Sequence, residues 1–370
     1  MGTQSAGKRR LLLVGGGHSH VIILKLLAAN PLPQSRVTLV SDTRLFSYSG
    51  MLPGLVAGCY TFKEAHFDLE HLALAANAAF ICGKALGLDL LNRRLSIEQA
   101  EPIDFDLLSL NLGSTPPVDS VPGAREHTIS VKPVPEFLSA WEDILKEYKS
   151  GHRPKICIVG AGAGGVELSF AMRHRLGIEA DVHIVHNDSD ILLSHTRSVR
   201  RVARRRLEEA GIRVTVNAKI DRVEASALYN KGDQIPFDKC FWATGSAPAK
   251  WLGTSGLALD EHGFILVAPS LRSLSHDSVF AVGDIASIVY EPRPKAGVYA
   301  VRQGKPLYEN LSRALSGEAL KNFTFQKHFL TLMGTSCGSA IGARGPFMYE
   351  GKIMWMLKQW IDRRFMAQFR

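Results

Sequence analysis

No two cysteines of this 370-residue chain are spaced as C-x-x-C or C-x-x-x-x-C; the five present, Cys59, Cys82, Cys157, Cys240 and Cys337, are odd in number and widely scattered. With an odd count, wide scatter and no short-spaced pair, free thiols in a reducing, cytoplasmic setting are expected. Metal-ligand spacings of His, Cys, Asp and Glu are missing as well, so no metal is expected. No apolar run reaches the length of a membrane span. At the start of the chain Lys8, Arg9 and Arg10 precede Leu11 to Val14, but that apolar stretch is too short for a signal peptide and runs into glycines. Ala6 stands where N-myristoylation requires Ser or Thr. Acidic residues are in deficit, 35 against 44 Lys plus Arg, and the net charge of +9 favours anionic partners such as nucleotides or acidic lipid headgroups. No motif that reads nucleic acid accompanies the excess.

What is present begins with size. An apolar content of 46% over 370 residues suits two or three domains with real cores. The stretch Leu11 to His20, LLLVGGGHSH, reads as a buried strand, a tight turn and the start of a helix that runs on through Val21 to Leu27. Gly15, Gly16 and Gly17 allow the main chain to approach a pyrophosphate at the helix start, with His18 and Ser19 beside it. The third glycine of G-x-G-x-x-G, which lets helix and strand pack closely, is replaced by His20. A second copy, Lys155 to Leu168 (KICIVGAGAGGVEL), keeps all three glycines, Gly160, Gly162 and Gly165, between a strand at Ile156 to Val159 and a helix from Val166. Two such turns in strand-turn-helix context imply two nucleotides.

Between and after them the chain alternates short strands with helices. The strand Arg36 to Val40 ends at Ser41 and Asp42, where this fold places the acid that holds the adenosine ribose; Asp42 is either that acid or a turn residue. The loop Phe46 to Gly58 is rich in aromatics and glycine, suited to lining a flat ring. Short strands follow, among them Ala79 to Cys82 and Leu95 to Ile97, with Lys84 and Ala85 between them as candidate cofactor-binding residues; an apolar run from Phe105 ends at Gly113. Prolines 116, 117, 122, 133 and 135 mark a crossing between domains, and a helix is expected over Val134 to Tyr148. The strand Asp181 to Val185 ends at His186 in place of an acid that would select NADH, and Arg197, Arg200 and Arg201 lie downstream, which tilts the choice toward NADPH; the plainer reading of those arginines is a solvated helix face. A strand over Ile235 to Ala243 ends at Gly245, and Ser278 to Ala286 delivers Gly283 and Asp284 from a strand end, where α/β folds bind ligands.

The order GGGHSH, NLGS, GAGAGG-VEL, FWATGS and FAVGD resembles the two-dinucleotide-binding-domain flavoproteins of the pyridine nucleotide-disulfide oxidoreductase superfamily, in the branch of type II NADH dehydrogenases and sulfide:quinone reductases. GGGHSHV, YSGMLPGLVAG, KAGVYAVRQG and IDRRFM look most like the NADH-dehydrogenase-like domain that some selenide, water dikinases carry. The resemblance implies an α/β fold with two Rossmann-like domains and a C-terminal α+β or helical segment. It divides the chain into an FAD-binding domain at 1–120 and 266–320, a crossing at 121–150, an NAD(P)H-binding domain at 151–265 and a C-terminal segment at 321–370. It also implies that Gly15 and Gly17 hold the FAD pyrophosphate, that Asp284 holds the ribityl chain, that Gly50 and Met51 lie near the flavin, and that Gly160, Gly162 and Gly165 hold NADH or NADPH. Glu167 falls where the family keeps a glutamate near both rings; its plainer reading is a first-turn acid on a helix dipole. A helix from about Lys295 to Val298 would aim its positive end at the flavin.

Two departures bear on the electron acceptor. Disulfide reductases of this superfamily use a paired-cysteine centre, which the spacing here leaves out. The quinone-facing A-Q-x-x-x-Q segment of type II NADH dehydrogenases falls on Val298 and Arg302, with Gln303 beside them, so Lys295, Arg302 and Gln303 join Glu167 as candidate catalytic residues. The C-terminal stretch Gly351 to Arg370 interleaves Trp355, Leu357, Trp360 and Phe365 with Lys352, Lys358, Arg363 and Arg364, suited to a helix at a membrane interface, or to docking on the protein's own body or a second subunit. The expected activity is flavin-dependent oxidation of NAD(P)H, with a quinone as acceptor. Oxidation of sulfide or a related sulfur or selenium species, with Cys337 near the flavin, is the alternative, and a non-catalytic FAD-binding interaction protein is a third.

Overall fold

The computed structural model describes residues 8–289, 294–324, 326 and 329–370, so Ala6 and the residues around it lie outside the description. The first part of the chain forms β1 (Arg9–Val14), α1 (His18–Ala29), β2 (Ser35–Ser41), α2 (Leu52–Ala57), β3 (Ala79–Cys82) and β4 (Leu107–Leu110). Next come β5 (Ile129–Ser130), α3 (Val134–Lys149), β6 (Lys155–Val159), α4 (Ala163–Leu176), β7 (Asp181–Val185), α5 (Arg197–Glu209), β8 (Arg213–Thr215) and β9 (Lys239–Trp242). They are followed by β10 (Val279–Ala281), α6 (Gly297–Ser316), β11 (Thr331–Ser336), β12 (Ser339–Arg344), β13 (Phe347–Gly351) and α7 (Lys352–Met366).

Two five-stranded sheets carry the architecture, in the orders β10-β4-β1-β2-β3 and β5-β9-β6-β7-β8. Every pairing within them is parallel. Leu11 to Val14 and Ile156 to Val159 are buried along their length, as apolar strands covered by helices on both faces must be. The first sheet is completed only when the chain returns, with Val279 opposite Leu108 and Ala281 opposite Leu110. Each sheet has its own core, one holding Leu13, Leu24, Leu39 and Phe280, the other Phe137, Ile158, Phe170 and Ile184. This is the mixed α/β, Rossmann-like fold expected. The antiparallel sheet β11-β12-β13 and α7 then pack across both, against α4 and the end of α2.

The structure departs from the expectations in four places, and one is the strand expected over Ile235 to Ala243, which is two, Asp233–Pro236 in a small antiparallel sheet and β9 in the second large one. The loop Phe46 to Gly58 contains α2, because Pro53 sits in the first turn, where the missing N–H is not needed, and Gly58 ends the helix at φ +81°. Helix α4 starts at Ala163, three residues before Val166, which puts Glu167 beyond the first turn and removes the reading of it as a simple dipole-capping acid. The expectation of five free thiols fails at two of them. Cys59 and Cys337 form a disulfide across 278 residues with Cα atoms 5.8 Å apart, leaving Cys82, Cys157 and Cys240 free. Among the described residues no helix is long and apolar enough to cross a membrane.

Candidate active site

The first glycine turn has no room for side chains. Gly15 takes φ +94°, and a Cβ there would overlap the Asn111 carbonyl; Gly16 is closed off by Leu69 and Gly17 by the Asn111 side chain. Helix α1 opens directly behind with no side-chain cap and no acid in its first turn, so its N–H groups and dipole remain for an external anion such as a dinucleotide pyrophosphate. His20 takes over the work of the missing glycine. Its Nδ1–H donates to the Gly15 carbonyl at 2.7 Å, which leaves Nε2 to accept from Ser109 Oγ at 2.8 Å and stitches turn, helix and β4 together. Burial pushes its pKa down to about 4, so the ring is neutral at pH 7.

The other residues expected to bind FAD have the following surroundings. Ser19 Oγ donates to the Ala300 carbonyl at 2.6 Å, which engages it in holding α1 to α6. His18 lies against the rings of Phe46 and Tyr48, its pKa lowered by burial to about 4, and Ser49 Oγ is 3.4 Å from its Nε2. Ser41 is buried and Asp42 exposed at the end of β2; Lys84 and Ala85 sit at the entry to a small antiparallel strand, Ala85–Asp89. Gly283 takes φ +70°, and the carboxylate of Asp284 accepts from Ser114 Oγ at 3.2 Å and pairs with Lys132 Nζ at 3.3 Å, next to Gly113. Helix α6 begins at Gly297, where a Cβ would press on Ser49, so its uncapped N-terminus meets the segment holding Gly50 and the buried Met51. A cradle that excludes Cβ atoms and ends in free helix N–H groups fits FAD.

The second turn is built alike. Gly160, at φ +118°, abuts the Ala243 carbonyl, and a Cβ on Gly165 would overlap the Gly160 carbonyl, so α4 packs tightly on β6. Gly162 caps α4 with no side-chain bond and faces open space, with Gly245 at φ +60° beyond the end of β9. These residues fit NAD(P)H. His186 follows β7 directly and accepts the Ala161 N–H at Nδ1, 3.3 Å away. Arg200 of the downstream run pairs with Asp190.

Where α4, the Gly50 segment, β11 and α7 meet lies a buried ionic cluster. The Glu167 carboxylate accepts from the Gly334 N–H at 2.8 Å. Lys358, only 5% exposed, donates from Nζ to the Gly50 carbonyl at 2.6 Å and to Asp362 Oδ2 at 3.0 Å. The Tyr60 hydroxyl donates to the same carboxylate at 3.5 Å. Burial raises the pKa of Glu167 and of Asp362, with the Lys358 charge opposing the rise in both. Desolvating charges costs several kcal/mol per ion, which makes such a cluster poor evidence for stability. Buried carboxylates with raised pKa values are suited to holding and releasing protons. When bound, FAD supplies hydride acceptance and onward electron transfer.

Of the four candidate catalytic residues only Glu167 joins this cluster. Gln303 is buried and its Oε1 accepts the Gly283 N–H at 2.6 Å, so it shapes the Asp284 turn. Lys295 donates to the Ala286 carbonyl at 2.8 Å and lies over the Phe264 ring, with burial lowering its pKa. Arg302 is half-buried, its Nη1 without a hydrogen-bond partner among the described residues. Lys358 and Asp362 were overlooked because α7 reads as an amphipathic surface helix. The spacing Trp355, Lys358, Asp362, Met366 places all four on one face, and all four are buried, so the signal was a lysine and an aspartate inside an apolar stripe.

Comparison with known proteins accords with this geometry. The family model described as pyridine nucleotide-disulphide oxidoreductase matches residues 9–304. The chain is 27% identical over 365 residues to the NADH dehydrogenase-like protein YutJ of Bacillus subtilis, covering 95% of this chain and 99% of that one. It is 22% identical over 395 residues to the type II NADH:quinone oxidoreductase of Staphylococcus aureus, covering 96% and 95%. The solved sulfide:quinone oxidoreductase of Aquifex aeolicus superposes with a TM-score of 0.82 at 15% identity, over 98% of this chain and 91% of that one. With two glycine turns that fit dinucleotides, the chain belongs to the pyridine nucleotide-disulphide oxidoreductase family and is an FAD-dependent, NAD(P)H-using oxidoreductase with NADH dehydrogenase-like relatives.

Proposed function

We propose that this enzyme passes electrons from NAD(P)H through its flavin to a quinone, reduced at the surface bounded by Gly50, Glu167 and Lys358. The observation that carries this reading is the buried cluster itself: a lysine and two carboxylates of raised pKa set against the segment expected at the flavin. Reducing a quinone to a quinol takes up protons as well as electrons, and Glu167 and Asp362 are the groups that deliver them, while Lys358 stabilises negative charge on the quinone oxygen. In this reading Gly15, Gly17 and Asp284 hold FAD, Asp42 holds its adenosine ribose, and Gly160, Gly162 and Gly165 hold the pyridine nucleotide. Relatives named for quinone reduction support the choice of acceptor. The outward face of α7 supports a place for it, since Ile353, Met356 and Trp360 are exposed beside Lys352 and Arg364 and suit the interface of a membrane that holds hydrophobic quinones.

Mixing the flavin-loaded protein anaerobically with NADH or NADPH should bleach the flavin, and a short-chain quinone should restore its colour. Glu167→Gln and Lys358→Met should slow the restoration by roughly tenfold or more and leave the bleaching much less affected. Bleaching without restoration by any quinone would overturn the acceptor; no bleaching by any donor would leave only a non-catalytic, FAD-binding interaction protein. One observation favours a second reading. The Cys59–Cys337 disulfide supplies a cysteine pair at the β11–β12 turn and supports sulfide or a related sulfur or selenium species as electron donor. That reading requires sulfide to bleach the flavin and Cys337→Ala to abolish the effect.

A further inference from the structure

The strand that normally ends in an acid to hold the adenosine ribose of NADH ends here in His186, yet a carboxylate has been brought to the same place from two residues further on. We propose that Asp188, oriented by His186, receives the 2′-hydroxyl of that ribose and makes this chain select NADH over NADPH. Backbone bonds fix the segment first. The His186 N–H donates to the Thr215 carbonyl at 2.8 Å, its carbonyl accepts from Ala218 at 2.9 Å, and the Asp188 carbonyl accepts from Asn217 at 2.9 Å. The side chains then form a chain of their own. Nδ1 of His186 accepts the N–H of Ala161, the residue between Gly160 and Gly162, and a ring nitrogen that accepts carries no proton. The proton of a neutral ring is therefore on Nε2, which donates to Asp188 Oδ2 at 3.2 Å. The carboxylate is thus fastened, through the imidazole, to the nucleotide turn. Its side chain is 49% exposed, which leaves acceptor capacity facing outward.

The surrounding charges point the same way. A 2′-phosphate needs cations, and no Lys or Arg occurs between His186 and Thr196. On α5, Arg200 and Arg204 are engaged by Asp190, and Arg205 and Arg206 by Glu350, which leaves Arg197 and Arg201 exposed on the helix. His195, the other histidine of the segment, has its pKa lowered by burial, which keeps it neutral. A phosphate on the ribose would meet the Asp188 charge, a built-in repulsion of the wrong nucleotide.

The inference concerns the adenosine end alone and does not depend on which acceptor is reduced. Its test is calorimetric titration of the flavin-loaded protein with ADP-ribose and with 2′-phospho-ADP-ribose, which needs no turnover. The wild-type chain should bind ADP-ribose at least roughly tenfold more tightly. Asp188→Asn and Asp188→Ala should collapse that ratio, raising affinity for the phosphorylated ligand, while the flavin spectrum and melting temperature stay unchanged; His186→Ala should lower the ratio by freeing the carboxylate. Equal or tighter wild-type binding of the phosphorylated ligand would overturn the proposal, and so would a ratio indifferent to both Asp188 substitutions.

Discussion

Gly165 in the second turn lies so close to the Gly160 carbonyl that nothing larger than hydrogen fits between them, whereas in the first turn the equivalent carbonyl, that of Gly15, is met by the ring of His20. Both turns put their first glycine against a carbonyl at the end of a neighbouring strand, Asn111 after β4 and Ala243 after β9. What differs is how the helix is held to the turn. In one it is held by contact between backbones, in the other by a hydrogen-bonded imidazole that also reaches Ser109. The third glycine of the motif therefore serves helix packing rather than phosphate binding, and a buried side chain that bonds the same carbonyl can stand in for it. The substitute brings a titratable group into the fold, which bare backbone does not.

The comparison can be broken most severely at Gly165. Gly165→Ala should cost about 3 kcal/mol or more in urea unfolding, because backbone must move, and should abolish ADP-ribose binding while FAD is retained. His20→Ala leaves the Gly15 carbonyl and Ser109 without a partner and should cost about 2 to 3 kcal/mol and release FAD on dilution. The sharper variant is His20→Gly, which restores the full glycine motif and should still fare no better than alanine.

Acid should also distinguish the two turns. His20 has its folded pKa depressed to about 4 from the ordinary 6.5, so between those values the unfolded chain binds the extra proton. Its stabilisation is complete above pH 6.5 and is lost as the pH falls toward 4, by up to the order of 3 kcal/mol. Unfolding curves at pH 7, 6 and 5 should show that slope, and His20→Gln should flatten it in part, the remainder coming from His18 and His183 with the same depressed value and from His66 and His195, lowered by burial. The smallest effect is expected at Gly162, which has φ −69° and open space around its Cβ position. Gly162→Ala should change stability by about 0.5 kcal/mol or less, whereas Gly17→Ala, aimed at the Asn111 side chain, should cost measurably more.

Much of the frame could be read from the residues. Buried parallel strands such as Leu11 to Val14 and Ile156 to Val159 are continuous apolar runs, and glycines at their ends are tied to backbone positions that only glycine can occupy. Helix α3 was readable from its apolar side, on which Trp141 and Ile144 are buried. The site was readable only where the chemistry was local to a motif. Glu167 stands next to a glycine turn; Lys358 and Asp362 come from a helix nearly two hundred residues away, and their spacing looks like that of any amphipathic surface. Lys295 and Gln303 stand out by their motif, yet the groups their side chains engage, the Ala286 carbonyl and the Gly283 N–H, are set by the course of β10 and α6. The disulfide left no trace in spacing, since 278 residues separate its ends.

That bridge makes a covalent ring of everything from Cys59 to Cys337, a closed loop that includes the whole second sheet. A protease that opens one exposed turn inside the ring would leave the two pieces linked, so a nicked molecule would run as a single species on a gel until a thiol reagent let it come apart.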